Sequence, residues 1–243
     1  MFNTNPEITA RRLMKHLIPA VLVAFTSLIA PASAQSPVVV ELFTSQGCAA
    51  CPPADKLIYE LTKRDDVIPL ALHVDYWDYI GWKDEFGNPA YSDRQRGYAS
   101  EGGRRSVYTP QMIINGTTDI VGARAMDLTK AIAEQSAKPS PVSLKVSRTD
   151  DVLAIAATSS QMRENMVVHL VRYQPERTSA IKRGENAGKT LVFANVVEDW
   201  KILQEWDGIM PLDLEMPVTG PEPLVVMIQQ GRFGAILAAE QIR

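Results

Sequence analysis

The sequence predicts an α/β domain followed by a mostly β, sandwich-like domain. Three observations lead there. Both cysteines lie in "TSQGCAAC", between a short apolar run and a helical pattern. Strand-type and helix-type patterns then alternate as far as residue 138. Beyond "KPSP", Lys138 to Pro141, only β-type runs follow.

The first residues read as an export signal. Arg11, Arg12 and Lys15 form a basic n-region, Leu17 to Ala30 an apolar h-region, and Ala32-Ser33-Ala34 a signal-peptidase site. Residues 1–34 are therefore expected to be removed, leaving a periplasmic or secreted chain that meets a membrane only through the uncleaved signal. Removal takes away three basic residues and Glu7, so the net charge of −3 becomes about −5. No basic excess exists to bind nucleic acid.

Residues 35–138 form the expected first domain. "PVVVELF" from Pro37 reads as a buried strand. A turn holds Cys48 and Cys51, and Pro52 and Pro53 suit a helix's first turn. Leu57, Ile58 and Leu61 keep helical spacing. "VIPLALHVDYWD" is a second buried strand ending in an aromatic, acidic loop. A helix is expected from about Ser92 to Ser100, capped by Ser92 or Asp93. Asn115-Gly116 between "QMII" and "TTDIVG" is the strongest short hairpin signal, and "AMDLTKAIAEQSA" is a last helix. In the expected second domain, residues 139–243, "VSLKVS", "DVLAIAATS", "NMVVHLVRY", "TLVFANVV" and "PLVVMIQQ" read as strands.

A C-x-x-C turn in a βαβ setting is a thioredoxin-like arrangement. Such folds place a cis-proline beside the cysteines, and Thr109-Pro110 stands just before a strand, where it is expected. They also hold a buried carboxylate nearby, and Glu41 on the entering strand is the candidate proton acceptor.

A C-x-x-C closes so short a loop that it stabilises by only about 2 kcal/mol, so a structural staple explains the pair poorly. At a helix start, Cys48 would be the low-pKa nucleophile and Cys51 the resolving thiol of a disulfide exchange cycle. Its partners would be protein or small-molecule thiols and disulfides, with no cofactor. Two alternatives stay open: copper delivery, with Cu(I) on the two thiolates completed by His73 or Met112, and a non-catalytic binding module. "GENAGKT", Gly184 to Thr190, has three residues between its glycines where a phosphate loop needs four, so no nucleotide is expected. It reads as a turn packing against the first domain.

"VELFTSQGCAACPPAD", "HVDYWDYIGWKD", "SVYTPQMIING" and "RGENAGKTL" resemble an exported bacterial family of thioredoxin-like fold, catalogued as a domain of unknown function. The resemblance covers the chain beyond the signal. It implies that Cys48 and Cys51 are a redox pair and Pro110 the cis-proline. Relatives often carry serines between the cysteines, where this chain has Ala49 and Ala50.

Overall fold

A computed structural model describes residues 36–163 and 165–243; the expected signal lies outside them. The elements run β1 (Val38–Thr44), α1 (Pro52–Leu61), β2 (Val67–His73), α2 (Pro89–Glu101), β3 (Gln111–Ile114), β4 (Thr118–Val121), α3 (Ala125–Ser136), β5 (Val142–Thr149), β6 (Val152–Ser159), β7 (Met166–Ala180), β8 (Thr190–Trp206), β9 (Leu212–Pro217), β10 (Leu224–Gln230) and β11 (Ile236–Ile242). A single 3-10 turn, Asp78–Ile80, lies between β2 and α2. No described helix is long and apolar enough to cross a membrane.

The expected fold class is overturned. The protein is mostly β: one mixed eight-stranded sheet ordered β11-β10-β7-β8-β2-β1-β3-β4, and a three-stranded sheet ordered β5-β6-β9. It is not an α/β thioredoxin-like domain followed by a separate sandwich. The physical reason is the placement of β8. It lies parallel beside β2, with Ala71 opposite Val196, so the later strands extend the first sheet. Pro69 has no N–H to give at this junction, and Asn195 Nδ2 donates to the Pro69 carbonyl at 2.8 Å. β7 and β8, of 15 and 17 residues, pair along nearly their whole length. The Lys138–Pro141 connection joins α3 to β5, and the large sheet draws strands from both sides of it.

Side-chain alternation gives the large sheet two apolar faces. On the α2 face, Phe43, Leu70 and Leu72 share one cluster with Tyr91 and Tyr98 of α2 and with Val171, Val197, Val225 and Ile236 from the later strands. On the other face, α1 and α3 cover Val40, Leu42 and Met112. The three-stranded sheet covers Val168, Leu170, Val226 and Ile228 there.

Local signals explain several boundaries. α2 starts earlier than expected because Asn88 caps it, accepting from Ala90 N at 3.0 Å, and Pro89 takes the first turn. Ser92, expected as the cap, instead donates its hydroxyl to Asp75 Oδ1. Asn115 and Gly116 both turn with positive φ, 46° and 70°. A Cβ on Gly116 would stand 2.1 Å from the Gly234 carbonyl oxygen, so the hairpin tip meets the β10–β11 turn only with glycine there.

Candidate functional site

The chain leaves β1 at Thr44 and turns tightly. Cys48 N donates to Ser45 O at 3.1 Å, Gly47 N to Ser45 Oγ at 3.1 Å, and Cys51 N to Cys48 O at 3.2 Å. These turns bring the cysteine Cα atoms to 5.4 Å, and the sulfurs form a disulfide. Cys51 is the N-cap of α1, and Pro52 and Pro53 occupy its first turn. Two of the usual free N–H groups are therefore missing. The next two, of Ala54 and Asp55, both donate to Cys51 O. The helix start thus offers Cys48 fewer unpaired donors than the spacing suggests.

The disulfide is covered. Cys48 is 1% exposed and Cys51 is fully buried, at 0%. On one side lies the segment after β2: a Cβ on Gly47 would stand 3.1 Å from Ile80 Cδ1 and 3.2 Å from Trp77 Cβ. On the other side lies the loop between β7 and β8, residues 181–189. The buried amide of Asn186 donates to both Gln46 O and Cys48 O, each at 2.9 Å. Trp82 Nε1 adds a bond to Gln46 Oε1 at 2.8 Å. The "GENAGKT" stretch is therefore part of a cover.

A buried polar cluster lies at the same end of the sheet. Asp55 is one helical turn beyond Cys51 and accepts from Thr44 Oγ1 at 2.8 Å. Burial raises its pKa to about 7, against the opposing pull of His73's charge and the Thr44 bond. His73, opposite Thr44 in register, meets Asp84 Oδ2 through Nδ1 at 2.7 Å, and both side chains are wholly buried. Burial works against the Asp84 charge, but His73 and the N–H groups of Gln46 and Phe86 outweigh it and lower its pKa. The carboxylate accepts, so Nδ1 is the donor. Nε2 has no partner among the described residues, and Phe86 and Phe193 pack edgewise on the ring.

The structure brings together Cys48, Cys51 and the cis Thr109–Pro110 bond at one end of the sheet. Gln111 pairs with Phe43, which sets Pro110 next to Thr44. Thr109 Oγ1 accepts from Trp77 Nε1 at 2.7 Å.

Glu41 lies elsewhere. It shares the α2 face with Phe43, whereas Thr44 points to α1. Arg94 of α2 holds it through Nε at 2.6 Å and Nη2 at 3.1 Å, and the Tyr98 hydroxyl also donates to it. The carboxylate beside the cysteines is Asp55, which the sequence reading missed. A signal existed: Asp55 falls on the buried stripe of α1 with Ala54, Ile58 and Leu61.

Met112 lies in the apolar cluster under α1 and α3. Among the described residues, no three His, Cys, Asp or Glu side chains group as a metal site requires.

A family model described as "Protein of unknown function (DUF1223)" matches residues 39–229. The chain is similar to a structural-genomics crystal structure of an Agrobacterium tumefaciens protein, with 30% identity and a TM-score of 0.73. The match covers 84% of this chain and 93% of that one. No curated protein matches it.

Proposed function

The chain belongs to the family of proteins of unknown function DUF1223, and from that premise we propose that it is an exported thiol–disulfide exchange protein working through Cys48 and Cys51. One observation carries this reading: the disulfide stands at a helix start, one turn from a buried carboxyl group whose pKa is raised to about 7. A staple needs no such neighbour. Breaking a disulfide next to it releases a thiolate that must find a proton.

The step balances as follows. A substrate thiolate attacks Cys48 Sγ, forming a mixed disulfide and expelling Cys51 as thiolate. Protonated Asp55 gives Cys51 its proton. A second substrate thiolate then attacks the substrate sulfur of the mixed disulfide. The substrate leaves as a disulfide, two electrons having passed to the protein, and Cys48 leaves as thiolate. In reverse, ionised Asp55 takes the proton from Cys51. Thr44 orients the carboxyl group, and its hydrogen bond and the nearby His73 oppose the rise in pKa that burial and the Asp84 carboxylate cause.

The test is trapping. Cys51→Ser should accumulate mixed disulfides through Cys48, and Cys48→Ser should accumulate few. If neither variant traps a thiol partner and the native pair resists thiols even when unfolded loops expose it, exchange is not the function.

A further inference from the structure

A cavity of about 340 Å³ opens on the α2 face, walled by Tyr91, Trp200 and Phe233. It is at the small end of ligand sites, which run from about 300 Å³ upward. The seat is built: a Cβ on Gly97 would stand 2.4 Å from Phe233 Cζ, so glycine there lets the Phe233 ring lie on α2.

The polar side chains of this cavity include Arg94, His169, Trp200 and Arg232, with the Asp93 carboxylate at the rim. Trp200 Nε1 donates to His169 Nδ1 at 3.0 Å. An indole nitrogen only donates, so Nδ1 accepts and the neutral imidazole carries its hydrogen on Nε2. His169 is 1% exposed, and its Nε2 has no partner among the described residues. Burial, then the charges of Arg94 and Arg232, push its pKa down to about 3, so the ring stays neutral. A buried N–H without a partner costs about 1–3 kcal/mol, a deficit that an acceptor would relieve. Arg94 lies 3.9 Å over the Trp200 ring, but its charge is matched by Glu41. Asp93 at the rim is paired with Arg96. Arg232 is exposed and meets no carboxylate among the described residues. Aromatic walls, a free guanidinium and an unused N–H all ask for one kind of guest.

The geometry points to a second binding site here, independent of the disulfide, for a small aromatic carboxylate. Its ring lies against Trp200 and Phe233, and its carboxylate meets Arg232.

Benzoate is the probe, followed by calorimetry and tryptophan emission on the full chain. It should saturate at one per chain and change an emission that Trp200→Phe removes. Benzamide, which keeps the ring and loses the charge, should bind about tenfold more weakly, as should benzoate to Arg232→Ala. Arg232 is exposed, so that variant should unfold at the same temperature as the native protein. Cys48→Ser should bind benzoate unchanged, which separates this site from the exchange reading. Absence of saturation, or binding indifferent to both Arg232→Ala and Trp200→Phe, overturns the proposal.

Discussion

Two buried carboxylates of this protein carry opposite consequences. Asp55 is protonated in the fold up to about pH 7, whereas its ordinary pKa is near 3.8. Between those values the folded state binds more protons than the unfolded one, so stability falls as pH rises, by about 1.4 kcal/mol per pH unit. Asp55→Asn keeps an acceptor for Thr44 and removes the titration. Its denaturation midpoint should fall less than the native protein's between pH 5 and 8. In exchange with a small dithiol, the ratio of native to Asp55→Asn rates should be largest below pH 7 and shrink above it. A ratio independent of pH would detach Asp55 from the chemistry. Glu41 forms a buried ion pair with Arg94. Removing one partner of such a buried pair costs about 3–5 kcal/mol. Arg94→Met should therefore lower the urea midpoint sharply. Glu41→Gln should destabilise too, yet leave the exchange rate of the folded protein unchanged. A lost rate with intact stability would return Glu41 to the site.

Among the described residues, Asn186 is the side chain that hydrogen-bonds the loop between β7 and β8 to the cysteine turn. Asn186 spends both amide hydrogens on the carbonyls of Gln46 and Cys48, and Lys189 Nζ donates to its Oδ1 at 2.9 Å. Hydrogen bonds of this kind contribute about 0.5–1.5 kcal/mol each. Asn186→Ala should let the loop open more often and raise the rate of disulfide reduction by a small thiol about tenfold. Stopped-flow thiol release measures the rate, and faster amide exchange across residues 181–189 would locate its origin. An unchanged rate would mean that the Trp77–Trp82 side controls access instead.

Across the molecule, the α2-face cluster draws on β1, β2 and α2 as much as on β7, β8, β10 and β11. Cutting the chain at Lys138 would strip one side from Phe43, Leu72 and Tyr98 and leave the β2 edge unpaired. A fragment of residues 36–138 should show no cooperative thermal transition and a collapsed NMR dispersion. The same logic places the cover: the loop that shields Cys48 belongs to the later strands. The fragment would therefore expose the cysteines even where it kept local structure. A well-dispersed spectrum would show that β1, β2 and the α1 and α3 layer hold alone.

What could be read directly from the sequence was local. The valine-rich run before the cysteines became β1, Pro52 and Pro53 opened α1, and Asn115-Gly116 turned the β3–β4 hairpin. Each rests on residues within one turn or one side-chain period of each other. The cysteine pair was legible for the same reason, whereas the cis bond at Pro110 was expected only from the fold-level arrangement and the family resemblance. Placement of β8 beside β2 was not, and with it went the fold class. A strand's apolar pattern says that a face is buried, not which neighbour buries it. Glu41 reads as a site residue until Arg94, 53 positions later, arrives on its face. Asn186 reads as a turn residue until it reaches Cys48, 138 positions earlier. Asp55 is ordinary on its helix and becomes titratable near neutrality only once burial strips its water. Burial and charge pairing depend on residues far apart in the chain, so only the tertiary structure decided them.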